Sequence, residues 1–512
     1  MVKKVLIKFS KQLSVRPLAG LVTTKAPAQA LRNVISKDGL GVYASSDTLF
    51  RGAVFGRDSL EVAEDLMELK PKLVEKILIT LASLQGESSN DTNEEEPGKI
   101  IHEFRRRRVD GKIITDVQAH IFDTLSRHWG GGENSMVYYG SIDSTPHFIK
   151  AIGTYCRLYG SEILTKEVIL RSGRRASILN VVESALDWLI KHLDSSVSGL
   201  VEYRRRNIHG IQNQVWKDSK EFYVHESGLP ANHLKPIASI EVQALAYDGL
   251  IYCGELLPGR LGQTRKYARQ IQQITLGSLW LPQRNYFALG IDFDQAGHRR
   301  IIQTLTANPA ALLDSLLFDD LGEKQKIHYV QALVREIMGT EFLTDAGIRS
   351  RALSEARLVP HWDYHGSYTS WPKETNDIAK GLRRQGFPRL AEQLENRLLN
   401  VIKAIKAYPE FIYVDPRGRV LGMASAAHTH GELVFVDSKN RPEKIQAWTV
   451  SAILAIKSSN KFILKPSKTI QQPWQADLEK EVLRVIPIVF RLRSRKELAA
   501  RYPVYPYELK ID

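Results

Sequence analysis

The sequence has few cysteines, with two among 512 residues. Cys156 and Cys253 both lie in apolar, helix-like segments, where buried free thiols are expected in place of a disulfide framework or a zinc cluster. No stretch approaches the ~18 uncharged apolar residues of a membrane-spanning helix. The first apolar run ends at Lys8, which is too early for a signal peptide. These absences predict a cytoplasmic protein without a membrane partner.

Several motifs of large enzyme classes are also missing. The sequence contains no glycine-rich phosphate loop, no His-x-x-x-His metal helix and no Gly-x-Ser-x-Gly elbow. It therefore predicts no cofactor and no metal. Lys and Arg number 71 against 57 Asp and Glu, a net charge of +14. The arginine runs 105–108 and 204–206 lack the interleaved aromatic and glycine residues of an RNA-binding module, so a nucleic-acid partner is not predicted.

What the sequence does contain is helical periodicity from end to end. Ile178, Val182, Ala185 and Leu189 follow the spacing that places them on one helix face. Comparable patterns predict further helices over 59–69, 71–85, 143–159, 236–255, 261–278, 322–338, 374–386, 389–407, 444–458 and 473–494. Strand-like alternation is limited to hairpin candidates near 411–420 and 431–437. No fixed repeat of about 30 to 45 residues indicates a solenoid, and the sequence predicts an all-α chain.

The connectors between these helices are unusually rich in aromatic residues. In NQVWKDS at 213–219, Trp216 is followed by the carboxyl group of Asp218. An aromatic ring beside an acid suits a sugar site, in which the ring stacks on the pyranose and the carboxyl group handles a proton. The same residues also suit a turn in which Asp218 caps a helix.

Taken in order, these connectors resemble motifs of the glucoamylase-like (six-hairpin) glycosidase superfamily, and most closely the amylo-α-1,6-glucosidase part of glycogen-debranching enzymes. The matching segments include FGRD at 55–58, KIIHEFR at 99–105, YYGSIDSTPHFI at 138–149, NQVWKDS, PIASIEVQALAYDGL at 236–250, YHGSYTSWP at 364–372, YPEF at 408–411 and IQAWTVSAIL at 445–454. The resemblance implies an (α/α)6 toroid with short β-hairpins in its loops. We expect residues 1–45 to pack on the toroid as an N-terminal segment, and residues 46–512 to form the catalytic domain.

The resemblance also implies a reaction with inversion, in which one carboxylic acid donates a proton and one carboxylate activates water. By the WKDS motif, Asp218 is the proton donor, and burial beside Trp216 is expected to raise its pKa. For the base, YPEF favours Glu410. Glu432 is the alternative, although it lies in what looks like an inserted hairpin, a poor support for a catalytic group.

Further residues are expected to bind the sugar. In the family the FGRD pair, here Arg57 and Asp58, binds hydroxyls of the terminal sugar. Lys217 is expected to point away from the donor or to contact a sugar hydroxyl. The other candidates are Trp216, Glu241, Gln243, Tyr139, Asp143, His365 and Trp371, with Trp362 as a further stacking surface and His102 and Glu103 as weaker candidates.

Three functions are therefore compatible with the sequence. The first is an inverting exo-acting α-glucosidase on glycogen-type or short α-glucans, with an oligosaccharide or polysaccharide as partner. The second is a hydrolase of a small anionic glycoside, such as a glycosylglycerate or sugar phosphate, which the excess of arginine would suit. The third is a non-catalytic carbohydrate-binding toroid. Val215 stands where the family has glycine, and KETND follows the SWP motif, so the α-1,6 preference is open.

Overall fold

The computed structural model describes residues 26–492 except 48, 424–425, 430–431, 436–439 and 460–470, together with residues 494 and 497. For 426–429, 432–435 and 459 it describes the backbone alone. The α-helices are α1 (Pro27–Val34), α2 (Gly56–Leu66), α3 (Pro71–Ser83), α4 (Asp116–Trp129), α5 (Ser144–Tyr159), α6 (Ile178–Ser195), α7 (Ile240–Leu256), α8 (Leu261–Ile274), α9 (Glu323–Ile337), α10 (Pro372–Arg384), α11 (Pro388–Ile405), α12 (Ala447–Ser459) and α13 (Pro473–Val485).

The helices alternate along the chain between two concentric rings. The inner ring is formed, in order, by α2, α5, α7, the 3-10 helix Asn308–Leu313, α10 and α12; each of these packs against the next, and α12 packs against α2. The outer elements α1, α3, α6, α8, α9 and α11 each pack on an inner neighbour. The predicted (α/α)6 toroid is confirmed, with a 3-10 helix in one of the six inner positions.

The apolar core lies between the two rings. Helix α7 is buried on nearly all sides because α5, α6 and α8 surround it. Toward the toroid axis the inner elements instead present charged side chains, such as Glu64, Lys150 and Asp377. The middle of the ring is therefore polar, and the apolar contacts that close it lie outside the axis.

Local sequence explains several helix ends. Pro71, Pro372, Pro388 and Pro473 stand in the first turn of α3, α10, α11 and α13. In this position the missing N–H removes no helical hydrogen bond. Gly130, with φ 68°, ends α4 in the left-handed conformation that glycine adopts without strain.

Short β-strands pair with one another in the loops between the helices. Three-stranded sheets join Val54–Phe55, Glu103–Arg106 and Ser135–Tyr138; Ala238–Ser239, Gly290–Phe293 and Arg299–Ile302; and Thr369–Ser370, Ile412–Val414 and Val420–Gly422. Two-stranded pairs join Arg108–Val109 with Lys112–Ile113, Glu167–Ile169 with Arg175–Ser177, Trp280–Leu281 with Tyr286–Phe287, Leu343–Thr344 with Gly347–Ile348, and Ala426–Thr429 with Glu432–Phe435. All of these pairings are antiparallel.

The eleven helices predicted from periodicity are all present, with ends that differ by a few residues. The periodicity missed α1 and α4, and it also missed the strands outside the two predicted hairpins. Only Phe122 and Trp129 of helix α4 are buried. Its apolar residues are therefore too few to produce a recognisable helical period in the sequence. The second hairpin spans 426–435, so its first strand begins before the predicted range.

Helix α1 completes the outer ring by packing on α12. Residues 1–25 lie outside the described residues. In the part of the chain that the structure describes, no helix has the length and apolarity needed to cross a membrane.

Gly56 is the first residue of α2, the first inner helix, and its surroundings are closely packed. A Cβ atom at residue 56 would clash with the backbone oxygen of Ile101 and lie 3.0 Å from Oγ of Ser144. We expect Gly56→Ala to lower the free energy of unfolding by about 1–3 kcal/mol, because backbone cannot move aside cheaply in a packed interior. Urea denaturation measures the effect.

Gly262 in α8 is the matched control, because a Cβ atom there meets nothing within 4 Å. Gly262→Ala should be neutral or stabilising. Equal stability of the two variants would contradict the close packing assigned to Gly56.

Candidate functional site

The amino ends of the inner elements meet at one rim of the toroid. Residues in or just before their first turns lie at this rim: Arg57 and Asp58 of α2, Asp143 before α5, Glu241 of α7, Asn308 of the 3-10 helix, Trp371 before α10 and Trp448 of α12. Of these, Arg57, Asp143, Glu241 and Asn308 line one hollow. A closed ring thus brings together residues that lie far apart in sequence. Backbone N–H groups at helix amino ends carry partial positive charge, which suits the carboxyl groups gathered there.

Asp218 lies in the loop 213–222 and opens toward this hollow, with 29% of its side-chain surface exposed. Its Oδ1 accepts a hydrogen bond from the Tyr364 hydroxyl at 2.9 Å, and Nε2 of His365 lies 3.5 Å away. Burial alone would raise the pKa of Asp218, but the His365 contact, the charge of Arg57 and the Tyr364 hydrogen bond together lower the pKa below its ordinary value. The expected rise in the Asp218 pKa is therefore wrong: these contacts outweigh burial beside Trp216.

Glu410 stands at the end of the loop after α11. Its Oε2 accepts a hydrogen bond from the backbone N–H of Glu443 at 3.3 Å. Burial raises the pKa of Glu410 to about 8; that hydrogen bond opposes the rise, while the charges of Glu443, Asp58 and Asp218 add to it. In the free protein at neutral pH, Glu410 carries a proton and Asp218 is ionised.

An aromatic cluster joins the loops that carry Asp218 and Glu410. Its members are Trp216, Tyr364, His365, Trp371, Phe411 and Trp448. The Trp216 ring meets Trp371 edge-on at 4.8 Å between centroids, and Trp371 lies 4.9 Å from Phe411, the residue after Glu410. These contacts hold both loops against the amino ends of α10 and α12. Trp216 lines the hollow, and both rings are largely buried, with 7% of Trp216 and 2% of Trp371 exposed.

Arg57 pairs with Asp143, and the expected binding of sugar hydroxyls by Arg57 and Asp58 stays a prediction. Nε and Nη2 of Arg57 donate to the two Asp143 oxygens at 2.7 and 3.2 Å. Asp58 instead accepts a hydrogen bond from Nε2 of Gln446 at 2.9 Å. Burial raises the pKa of Asp58 to about 7 against the charge of Arg57, with contributions from Glu61 and Asp218. Asp58, Asp218 and Glu410 therefore interact electrostatically with one another across the hollow.

Glu241 and His365 also belong to this region. Glu241 is buried in the first turn of α7, where the Asn308 side chain donates to its Oε2, and burial raises its pKa to about 8. The His365 ring stacks on Trp371 at 4.6 Å, and burial lowers its pKa to about 4. His365 is therefore neutral at physiological pH and contacts Asp218 as an uncharged ring.

Three predicted sugar-binding residues have other roles. Lys217 is fully buried, with its Nζ 2.6 Å from Glu374, so it cannot reach a sugar hydroxyl. The amide of Gln243 donates to the backbone oxygens of Val201 and Ser239 and accepts from the Val201 N–H, and this bonding uses its capacity within the helix packing.

Tyr139 is the third of these corrections. Its hydroxyl donates to the backbone oxygen of Leu84 and accepts from Arg171, and the side chain is completely buried. An aromatic residue in a glycine-rich connector is as suitable for the core as for a sugar platform. Tyr139 belongs to the core.

The remaining candidates differ in how far they are buried. His102 is buried between Phe55 and Tyr138, and burial lowers its pKa to about 3. Glu103 is buried in an ion pair with Arg105. Trp362 is 45% exposed. Glu432 lies in the strand Glu432–Phe435, whose side chains are outside the described residues.

Sequence reasoning missed Tyr364, Glu443 and Gln446, each of which bonds directly to one of the three carboxyl groups. Tyr364 and Gln446 lie within the motifs YHGSYTSWP and IQAW, so the motifs themselves could have indicated them. No sequence signal indicates Glu443, because its hydrogen bond to Glu410 comes from the backbone N–H, which every residue except proline has.

Stability should depend on pH through Glu410. Its pKa is about 8 in the folded chain against an ordinary 4.5, so the folded state binds a proton that the unfolded state lacks between these values, and stability is lost as pH rises through them. Glu410→Gln cannot ionise. We expect its free energy of unfolding, relative to the wild type, to be higher at pH 8.5 than at pH 5 by on the order of 1–3 kcal/mol, in view of the partial exposure of Glu410. Its Tm should therefore exceed that of the wild type by more at pH 8.5.

Thermal unfolding at both pH values, with Glu221→Gln as the control, measures this difference. Glu221 is exposed in the loop that carries Asp218, so its variant should follow the wild type at each pH. A Glu410→Gln effect that is the same at both pH values would contradict the assigned protonation.

The sequence matches no family model and no curated protein. Among solved structures, the chain resembles the GH63 mannosylglycerate hydrolase from Thermus thermophilus in complex with glucose, with a TM-score of 0.50 and 13% sequence identity over 84% of this chain and 99% of that chain. The same enzyme in complex with Tris and D-glycerate gives a TM-score of 0.50 and 13% identity over 84% of this chain and 100% of that one. At this identity the likeness establishes a shared fold.

Proposed function

We propose that this chain is an inverting glycoside hydrolase that removes the terminal sugar from an α-linked glycoside, with Asp218 and Glu410 as the catalytic pair. The observation that carries the proposal is that Tyr364 donates a hydrogen bond to Asp218 while its ring stacks on Phe411, the residue after Glu410, so both carboxyl groups lie at one aromatic cluster. Carboxyl groups on separate loops are the arrangement that acid and base catalysis of glycoside hydrolysis requires. The fold shared with a glycoside hydrolase supports the same reaction class.

In this mechanism the terminal sugar fills the hollow, with its hydroxyls toward Asp58. One member of the pair protonates the glycosidic oxygen as the bond to the anomeric carbon breaks. The other takes a proton from a water molecule that attacks the anomeric carbon from the opposite face. The product sugar therefore leaves with inverted configuration, and the acid and base exchange protons with solvent before the next cycle.

The resemblance and the electrostatics assign the donated proton to different residues. By the WKDS motif Asp218 is the donor, whereas the pKa directions favour Glu410 as the protonated member in the free protein. A general acid has to hold its proton at the working pH. Dependence on the leaving group distinguishes the two assignments, because a substrate with an acidic leaving group needs little protonation.

We expect Asp218→Asn and Glu410→Gln each to lower turnover on an ordinary alkyl or sugar glycoside by at least ~10²-fold. On a dinitrophenyl glycoside, the variant that lacks the donor should regain much of its rate, and the variant that lacks the base should not. Steady-state kinetics on the two substrates measures this.

Glu221→Gln is the matched control, and it should keep normal turnover because Glu221 is exposed in the same loop. Circular dichroism confirms that each variant is folded. Turnover by folded Asp218→Asn and Glu410→Gln close to that of the wild type would remove the pair from the mechanism.

Two substrate classes compete for this site. The sequence resemblance favours terminal α-glucosides of glycogen-type or short α-glucans. The shared fold favours a second class, a small glycosylglycerate, since the similar structures are of a mannosylglycerate hydrolase and one of them holds D-glycerate. A panel of α-linked glucosides and α-glycosyl-D-glycerates, with the product anomer followed by NMR, tests both. Release of the β anomer is expected; the α anomer would rule out inversion, and no release from any glycoside would rule out the hydrolase.

A further inference from the structure

Both sequence neighbours of Asp218 are anchored to buried side chains. Lys217 is fully buried, and its Nζ lies 2.6 Å from Oε1 of Glu374, in the first turn of α10. Ser219 is 2% exposed, and its hydroxyl donates a hydrogen bond to Oδ1 of Asp363 at 2.9 Å. The mechanism proposed above gives neither neighbour a role.

The first anchor is an ion pair enclosed by the protein. Nζ of Lys217 lies 5.2 Å from the ring centroid of Trp216 and 5.4 Å from that of Phe222. The second oxygen of Glu374 accepts a hydrogen bond from the Ser350 hydroxyl at 3.1 Å. Removing one partner of a buried ion pair leaves an uncompensated charge at a high cost. The two ends of this pair are therefore held together, and they fix the backbone before Asp218 on α10.

The second anchor joins two loops. Oδ1 of Asp363 accepts the Ser219 hydroxyl and also the backbone N–H of His365, the latter at 2.7 Å. The Asp363 side chain is 3% exposed. On the other side, Nδ2 of Asn213 donates to the backbone oxygen of Ser219 at 2.8 Å, which closes the turn 213–219. Ser219 is thus held through both its side chain and its backbone.

Three consecutive residues are therefore bonded to one stretch of the chain, residues 363–374. Asp218, between the two anchors, accepts a hydrogen bond from the Tyr364 hydroxyl at 2.9 Å, and Nε2 of His365 lies 3.5 Å from the same oxygen, Oδ1. Tyr364 and His365 directly follow Asp363. One loop thus supports both Asp218 and the residue after it.

The carboxyl group of Asp218 depends on this support for its direction. The side chain keeps 29% of its surface exposed, and among the described residues both of its partners contact Oδ1. The other oxygen, Oδ2, is left for a reacting group, and its direction follows from the backbone position and the contacts at Oδ1. A catalytic group keeps its productive geometry only when surrounding contacts fix it.

We propose that Lys217 and Ser219 are positioning residues, which fix the backbone on both sides of Asp218 so that Oδ2 is directed at the substrate. The inference rests on the proposed function, because it takes Asp218 as a member of the catalytic pair. Both side chains are buried and bonded to protein groups, so neither touches the substrate. Each acts on the reaction only through Asp218.

A double-mutant cycle between Ser219 and Asp218 tests the proposal. Ser219→Ala should lower kcat on an alkyl glycoside about tenfold, because a small displacement of a reacting group is costly, and should leave KM nearly unchanged. In the Asp218→Asn background the same substitution should change kcat by less than about twofold, because the group that it positions is already absent. Steady-state kinetics on the wild type, the two single variants and the double variant measures this.

Asp363 provides the conservative rescue. Asp363→Ala removes the acceptor and should reproduce Ser219→Ala, whereas Asp363→Asn keeps an acceptor oxygen and should retain most of the turnover. Ser198→Ala is the matched control, because the Ser198 hydroxyl also donates to a buried carboxylate, Oε2 of Glu202 at 2.6 Å, but in the loop after α6. Ser198→Ala should keep normal turnover.

Lys217→Met tests the first anchor in the same cycle, and should lower kcat in the wild type and not in Asp218→Asn. If Lys217→Met does not fold, Glu374→Gln is the milder test, because it keeps the size of the side chain and an acceptor for Nζ.

Normal kcat in folded Ser219→Ala would overturn the proposal. So would a loss of equal size in the Asp218→Asn background, since a merely structural effect does not depend on the carboxyl group, and so would normal kcat in both the Lys217 and the Glu374 variants. Failure of the proposed function is a different result, in which Asp218→Asn itself keeps normal turnover.

Discussion

The packing of Trp216 against Trp371 and Trp448 is the contact on which the rest of the site depends. Trp216 belongs to the loop of Asp218, Trp371 directly precedes α10, and Trp448 lies in the first turn of α12. Phe411 extends this packing to the loop of Glu410. Aromatic side chains bury large apolar areas in fixed geometry. A few rings therefore hold two carboxyl groups in one hollow although 192 residues separate them in sequence.

The same burial has an electrostatic cost. Asp58, Glu241 and Glu410 all have raised pKa values because desolvation disfavours their charged forms. Asp218 differs, since Tyr364, His365 and Arg57 together favour its carboxylate. Carboxyl groups with pKa values on opposite sides of neutrality are the condition for acid and base chemistry at one pH. Burial of these carboxyl groups therefore costs the folded state some stability. It also keeps one carboxyl group protonated and another ionised at the same pH.

Periodicity was sufficient to predict an all-α chain, because helices such as α6 and α11 have long, regular apolar stripes. The toroid itself was implied by the family resemblance of the ordered motifs. Periodicity was insufficient for α4, whose buried face is short, and for the inner element at 308–313, which is a 3-10 helix. Motifs predicted that Arg57 and Asp218 lie near each other, and the structure brings the two charges together; their roles stay predictions. The position was not predictable for Lys217, Gln243 and Tyr139, because a polar or aromatic residue in a loop motif has the same sequence signature whether it faces substrate or packs in the core. Arg57 pairs with Asp143 because the ring brings α2 next to the start of α5. A pattern read along the sequence does not contain such a contact between distant residues.

The most direct test of the central claim is a crystal structure of Asp218→Asn with an uncleaved α-linked glycoside. The account predicts the terminal sugar in the hollow, with residue 218 and Glu410 on opposite faces of the anomeric carbon and about 6.5–9.5 Å apart, leaving room for one water. A sugar bound outside the hollow would contradict it. So would the two side chains on the same face of the ring, or a separation of about 5 Å, which belongs to a retaining mechanism.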